Sequence, residues 1–338
     1  MPHVPSSRDE APAYLLRYER RRASGSDSGG WADTDEPVFM ARARARAAER
    51  ALMETARPDS PPGATEAYAR VTVSPREIVP PESFRDRMAG SVDVRLIRHG
   101  ETQGYSADGG LTPLGHWQAH RKGQDLARGV KNGMTIRFPH APTARAQQTA
   151  ESVRAGLLQA LARYGIEAEV LEPHPAPLFR NFKVWCDGTE QDVTQAFLHY
   201  VTVMEDFERN GQGERPGWLV EMDRFWNVQA GGGDPITSWL RVPMHFFEPP
   251  AIVVRRFWEG IVEEVGKGPS DQRVFVCTHS GPIRAVATAA VGHDPGEPYN
   301  TEDVRIRVFP SLRHAIVTYR GRGLEVEIPT HVKPSWVG

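Results

Sequence analysis

The chain has 338 residues, of which 25% are charged, and its formal net charge at pH 7 is −2. This length allows one large or two smaller cores, and the balanced charge does not favour nucleic acid or a membrane surface as a partner. With no apolar run of about 18 residues, no secretory signal pattern and only two cysteines, Cys186 and Cys277, we expect a cytoplasmic protein.

Residues 1–90 differ in composition from the rest and predict an N-terminal extension. The segments 24–30 and 57–63 are linker-like, rich in Ser, Gly and Pro. Between them, FMARARARAAERALMETA (39–56) predicts a helix with three arginines on one face. That face is either a solvated surface or a binding face for an acidic partner. The extension is therefore expected to be partly helical, with disorder in part of it left open.

Strands and helices alternate through the remainder, residues 91–338. Strands are predicted at 92–97, 134–138, 167–172, 273–278, 303–309, 314–319 and 323–328, and helices at 112–129, 144–164 and 282–291. A long aromatic stretch up to residue 267 is predicted to be mostly helical. This alternation predicts an α/β fold with three layers, α/β/α, around a mostly parallel central sheet.

Basic residues stand at three predicted junctions between a strand and a helix. Arg98 and His99 end the first strand, and His279 ends the strand RVFVCT. Arg145 falls in the first turn of the helix 144–164, behind Thr143 as the expected N-cap. Because ligands of open α/β sheets bind outside the carboxyl ends of the strands, the three junctions are expected to meet in one crevice.

The charges at these junctions predict a phosphate pocket. A cation in a first helical turn is disfavoured by the helix dipole by about 0.3–1 kcal/mol, so Arg145 is poorly placed for stability alone. A bound anion reverses that sign, and helix N-termini and arginine both suit phosphate. A single His or Arg at such a position is usually structural, but three together favour a site for a dianionic phosphoryl group.

Four stretches together resemble the signatures of the histidine phosphatase superfamily, also called phosphoglycerate-mutase-like. They are RHGET (98–102), LTPLGHWQA (111–119), RAQQTA (145–150) and VCTHSGPIRA (276–285). The resemblance implies that His99 is a nucleophile that forms a covalent phosphohistidine, which water then hydrolyses.

The same resemblance implies the roles of the other residues. Arg98, Arg145 and His279 would hold the phosphoryl oxygens, with His279 carrying a proton in the complex, and Thr102 would touch the substrate. No metal or other cofactor is expected, because arginines neutralise the phosphate. The segment of about 190–267 lies where the family has a variable helical cap. Most of its aromatic side chains are expected in the core of the cap, and a few of Trp226, Trp239, Phe246 and Phe247 are candidates to face a bulky substrate.

The chain departs from the family where the general acid is expected. Arg180, with Asn181 beside it, stands where the mutase-like branch has a Glu, and Ser280 follows the second His where the phytase branch has an Asp. Gly104 replaces an Asn that often contacts the phosphate.

Two explanations of the missing acid are open. Another carboxylate serves, with Glu101, Asp187, Glu190 and Glu172 as candidates. Alternatively, the leaving group needs little protonation, as in an acyl phosphate, a phosphoramidate or a pyrophosphate. Arg180 is then either a clamp for a second anionic group or a solvated loop residue.

The sequence therefore predicts a phosphatase that acts on a small phosphorylated substrate. The alternatives are a phosphomutase, which the absent Glu disfavours, and a weakly catalytic member that binds a phosphorylated ligand or acts as a scaffold. Nucleic acid and membrane are not expected as partners, and a homo-oligomer is left open.

Overall fold

The computed structural model describes residue 86 and residues 88–102, 109–210, 213–230 and 232–329. The chain divides into two compact units, residues 1–79 and 80–338, and every described residue belongs to the second unit. The predicted helix 39–56 and nearly all of the predicted extension lie outside the described residues.

The longest strands of the described part are β1 and β8, with seven residues each. They are β1 Val92–Arg98, β2 Thr135–Arg137, β3 Pro139–His140, β4 Glu169–Val170, β5 His174–Pro175, β6 Lys183–Cys186, β7 Thr189–Asp192, β8 Gln272–Thr278, β9 Asp303–Val308, β10 His314–Tyr319 and β11 Arg322–Glu327.

The helices that matter here follow the same chain order. They are α1 Pro113–Leu126, α2 Ala144–Tyr164, α3 Val193–Asn210, α4 Gly217–Ala230, α5 Pro235–Arg241, α6 Pro250–Gly266 and α7 Ser280–Val291. None of the described helices is both long and apolar enough to cross a membrane.

The central sheet has the order β11-β10-β9-β1-β8-β2-β4, and β3 pairs with β8 and β5. The β1/β8, β2/β8, β2/β4, β3/β5 and β3/β8 pairings are parallel, whereas β1/β9, β9/β10 and β10/β11 are antiparallel. Strand β8 is buried along its whole length, as expected for a parallel strand covered on both faces.

The two faces of the sheet belong to two separate hydrophobic clusters. In β8, Val274 and Val276 pack in the cluster that contains α6 and α7, whereas Phe275 and Cys277 pack with α1 and α2. This division follows from the two-residue period of a strand. Helices therefore cover both faces of the sheet, and the predicted three-layer α/β/α class with a mostly parallel sheet is confirmed.

One element departs from the predicted, mostly helical stretch before residue 267. Strands β6 and β7 form an antiparallel hairpin. Asp187 (φ 50°) and Gly188 (φ 75°) make its two-residue turn, and this Asp-Gly pair is the residue choice that a type I′ turn favours. This hairpin was not predicted from the sequence. The helical content itself is found in α3 to α6.

Two of the aromatic side chains proposed to face a substrate lie in the core instead. Trp239 and Phe247 are each 1% exposed. Trp239 stacks on Phe182 with 4.4 Å between ring centroids, and its indole N–H donates to Glu248 O at 2.9 Å. Their contacts are those of a packed interior, so a substrate-facing role was wrong for these two.

Candidate active site

The two histidines are brought together by strand register. In the parallel pair β1/β8, Arg98 lies opposite Thr278, so the next residues, His99 and His279, leave the sheet side by side. Their ring centroids are 5.4 Å apart, with the rings edge to face. The His99 backbone N–H also donates to Thr278 O at 2.9 Å. Adjacent parallel strands thus place both imidazoles at the carboxyl edge of the sheet.

Arg145 reaches the same place from the next junction. Strand β3 pairs with β8 at Cys277, and helix α2 begins four residues after β3 ends. Arg145 Nε donates to His279 Nδ1 at 3.3 Å, and its Nη2 donates to Thr194 Oγ1 at 3.3 Å. The convergence of the three junctions is therefore observed.

Thr143 occupies the N-cap position of α2, but its side chain caps no helical N–H. Its hydroxyl lies 3.5 Å from His279 Nε2. Thr143 is therefore the N-cap residue of α2, as expected, and the helix begins at the predicted residue. The hydroxyl instead faces the second histidine of the site.

Both imidazoles are neutral at pH 7 in this pocket. Burial, and then the charges of Arg98 and Arg145, lower the pKa of His99 to about 3. Burial and Arg145 likewise hold the pKa of His279 well below its usual 6.5. His99 Nδ1 lies 2.8 Å from Gly100 O. Because a carbonyl oxygen can only accept, Nδ1 carries the proton, and Nε2 has the free lone pair that a nucleophile needs.

Arg98 is held from one side. Its Nη1 forms an ion pair with Glu297 Oε1 at 3.0 Å and donates to Pro298 O. Its Nε is buried and has no hydrogen-bond partner among the described residues. An unsatisfied buried donor is costly, so an oxyanion that accepts from it would stabilise the site.

The backbone around His99 is fixed by close packing. A Cβ atom on Gly115 would lie 2.2 Å from Glu101 O, and one on Gly100 would lie 2.5 Å from Gly115 O. Gly100 N also donates to the buried Thr149 Oγ1 at 3.0 Å, which in turn donates to Arg145 O at 2.7 Å. The glycines of RHGET and LTPLG thus let α1 approach the histidine loop, and Thr149 ties that loop to α2.

A family model described as "Histidine phosphatase superfamily (branch 1)" matches residues 94–169, which include both of these loops and Arg145. The resemblance to the histidine phosphatase superfamily is therefore confirmed.

Solved structures with a similar outline share little sequence with this chain. The mycobacterial glucosyl-3-phosphoglycerate phosphatase is 17% identical with a TM-score of 0.38, over 64% of this chain and 90% of that one. A phosphoglycerate mutase from Bacillus anthracis is 16% identical with a TM-score of 0.38, over 70% of this chain and 92% of that one. "Mycobacterial hydrolase 1" is 16% identical with a TM-score of 0.39, over 69% of this chain and 99% of that one. No curated protein matches the chain.

The candidate general acids are engaged with other partners. Glu101 Oε2 accepts from Thr112 Oγ1 at 3.0 Å, and Glu190 pairs with Lys183 across the β6/β7 hairpin. Glu172 forms an ion pair with Arg154. Among the described residues, none of these three carboxylates is hydrogen-bonded to His99 or His279.

Asp187 has a structural role that accounts for its position. It forms the hairpin turn, and its carboxylate lies 2.8 Å from His199 Nε2 and 2.7 Å from Trp218 Nε1, which donates to it. These hydrogen bonds, that of His199 first, lower the pKa of Asp187. A general acid at neutral pH needs the opposite direction.

Arg180 lies in a segment that a second arginine holds in place. Arg256 donates to Leu178 O, Arg180 O and Asn181 O at 2.6, 3.1 and 3.3 Å, and it forms a bidentate pair with the buried Glu248. Arg180 Nη2 lies 4.0 Å from Glu248 Oε1. The buried Asn181 uses its Oδ1 to accept from the Phe182 N–H at 3.0 Å.

The other residues singled out from the sequence lie near the ends of structural elements or outside the described residues. Ser280 is the first residue of α7, and Thr102 follows the histidine loop directly. Gly104 lies outside the described residues. No group of three or more His, Cys, Asp or Glu side chains with the arrangement of a metal site occurs in the described part of the chain.

Sequence reasoning missed three residues that shape the site. Thr149 lies one helical turn after Arg145, and that spacing was a usable signal. Glu297 and Arg256 carry no local signal, because each reaches the site from a distant part of the chain.

Proposed function

We propose that the protein is a phosphatase that transfers a phosphoryl group to His99 and then to water. The supporting observation is the neutral His99 with its Nε2 lone pair among Arg98, Arg145 and His279 at one sheet edge. A neutral imidazole is the nucleophilic form, and fixed cations around it favour the charge of a loose transition state.

The first step forms a bond between His99 Nε2 and phosphorus while the bond from phosphorus to the leaving oxygen or nitrogen breaks. Arg98, Arg145 and His279 hold the three non-bridging oxygens. A bound dianion counteracts the two arginines, so it favours protonation of His279 in the complex. Water then attacks phosphorus, the N–P bond breaks, and inorganic phosphate leaves with His99 restored.

The substrate class that fits best is an activated phosphoryl donor such as an acyl phosphate, a phosphoramidate or a pyrophosphate. Arg180 stands at the position of the expected acid, and the other candidate carboxylates hydrogen-bond elsewhere. Protonation of the leaving group is typically worth 10²–10⁴-fold, an advantage that a good leaving group does not need. Arg180 is then a clamp for a second anionic group of the substrate.

The test combines a substrate panel with a leaving-group series. Phosphate release is measured for acyl phosphates, phosphoramidate, pyrophosphates and simple esters, with His99→Ala beside a control variant, His314→Ala on β10. We expect turnover to be lost only in His99→Ala. For substituted aryl phosphates, kcat/KM should fall steeply as the pKa of the leaving phenol rises.

A shallow dependence would show that a general acid acts, and turnover that survives in His99→Ala would overturn the mechanism. Arg180→Ala should raise KM for donors with a second anionic group and leave KM for phosphoramidate unchanged. Absence of turnover with every donor, together with tight phosphate binding, would favour the ligand-binding alternative.

A further inference from the structure

Arg284, five residues beyond His279 in α7, is 2% exposed yet carries a charge. Its Nε and Nη2 donate to the two carboxylate oxygens of Asp294, both at 2.6 Å. Its Nη1 donates to Asp234 Oδ2 and its Nη2 to Thr237 Oγ1, both at 2.5 Å. Arg284 and Asp294 are both buried, and breaking a buried ion pair is strongly destabilising, so this pair is firmly held.

The partners of Arg284 come from two different parts of the chain. Asp234 is the N-cap of α5, where its Oδ1 accepts from Ile236 N at 2.9 Å, and Thr237 lies in the first turn of that helix. Asp294 lies in the loop that leads from α7 to β9. Arg284 therefore joins the helix of His279 to the start of α5 and to this loop.

The same loop carries the carboxylate that holds Arg98. Glu297 Oε1 lies 3.0 Å from Arg98 Nη1, and Glu297 Oε2 lies 3.6 Å from Arg284 Nη1. One carboxylate thus bridges the arginine of the phosphate pocket and the buried arginine of α7. Pro298, the next residue, supplies its carbonyl oxygen to Arg98 Nη1 as well.

The contact with Glu297 leaves part of the Arg98 guanidinium for a ligand. Within the described residues, both protein partners of the guanidinium lie on Nη1, while Nε is buried and unpaired. A planar guanidinium tethered at one nitrogen keeps a fixed orientation. The remaining N–H groups are thereby aimed before a phosphoryl group arrives, and such preorganisation favours a transition state.

We propose that Glu297 is a positioning residue for Arg98, and that Arg284 couples it to the segment 234–237 at the start of α5. The proposal rests on the proposed function, because it takes Arg98 to be a ligand of the phosphoryl group. The proposal predicts that the loss of Glu297 affects the binding of two kinds of ligand differently. Orthovanadate, which becomes five-coordinate on a nucleophile, requires the aimed guanidinium, whereas ground-state phosphate requires mainly positive charge.

Calorimetric titration of the full chain with orthovanadate and with inorganic phosphate tests this split without any assigned substrate. Glu297→Gln should raise the Kd of vanadate about tenfold, part of the roughly 10²–10³-fold that loss of a whole oxyanion donor costs. The Kd of phosphate should stay within about twofold or fall, because a negative charge beside Arg98 has been removed. Equal weakening of both ligands, or no change in either, would overturn the proposal.

A matched control is Glu302→Gln. Glu302 lies farther along the same loop and is also paired with an arginine, Arg320, at 2.8 Å. We expect it to leave both Kd values unchanged. If Glu297→Gln acted only by unfolding the loop, the binding stoichiometry would fall while Kd stayed constant, and that result would contradict positioning.

The coupling to α5 is tested by a double-mutant cycle. Asp234→Asn alone should weaken vanadate binding, and its combination with Glu297→Gln should cost less than the product of the two single effects. Additive effects would refute the role of Arg284 as a link. If wild type binds neither ligand, the proposed function itself fails; if wild type binds both and Glu297→Gln matches it, only the positioning role fails.

Discussion

The hydrogen bond from Gly100 N to Thr149 Oγ1 holds the loop of the proposed nucleophile, and Thr149→Val removes it with little change of shape. Thr149 is 0% exposed, so no water can replace the lost acceptor in the folded state. A buried N–H left unsatisfied costs about 1–3 kcal/mol. For a domain of this size, 1 kcal/mol corresponds to about 2–4 °C, so Tm should fall by about 2–12 °C.

Differential scanning calorimetry measures this loss, and the initial rate of phosphate release shows whether the freed loop also lowers kcat, as we expect. Thr288→Val on α7 is the matched control, because the buried Thr288 hydroxyl has no hydrogen-bond partner in the part of the chain that the structure describes. That substitution removes an unsatisfied group, so Tm should be unchanged or higher. Equal effects of the two substitutions would refute the assigned role of Thr149.

Three further predictions concern packing, protonation and thiols. Gly115→Ala should destabilise the protein strongly and abolish activity, since its Cβ would lie 2.2 Å from the backbone oxygen of Glu101. Urea unfolding measures the loss of stability, and a Tm equal to that of the wild type would argue against this prediction. Because burial with Arg98 and Arg145 lowers the pKa of His99 to about 3, the unfolded chain binds more protons between about pH 6.5 and 3. The free energy of unfolding should then decrease as the pH is lowered through that window, by up to about 1.4 kcal/mol per pH unit. His99→Ala should reduce this dependence on pH, and an unchanged dependence would contradict the lowered pKa of His99. Burial raises the pKa of Cys186 to about 11 and also raises that of Cys277, so neither thiol should react with a disulfide reagent until guanidinium unfolds the chain. Rapid labelling of the native protein would show that one of them is accessible.

The central elements of the fold were predictable because their sequences are strongly patterned. The apolar runs of β1 and β8 end at basic residues, and the predicted helix 144–164 matches α2 residue for residue. The hairpin of β6 and β7 was missed for a physical reason. Its second strand, TEQD, is polar and lacks the alternation of a half-buried strand, so only Asp187-Gly188 signalled it.

The convergence of the site was predictable to the same degree. The rule that ligands bind at the carboxyl ends of parallel strands was enough to bring Arg98, His99, Arg145 and His279 together. The groups that hold them were not predictable, because Glu297 and Arg256 act through contacts between segments far apart in the chain. No periodicity or local motif records such a contact.

A phosphoryl group on His99 can be detected by trapping the covalent intermediate. The protein is mixed with acetyl phosphate or phosphoramidate, quenched in alkali, digested and mapped by mass spectrometry. We predict an acid-labile phosphoryl group on the imidazole of His99, absent from His99→Ala and retained in His314→Ala. A phosphoryl group on any other residue, or phosphate release at the wild-type rate by His99→Ala, would contradict the phosphohistidine mechanism.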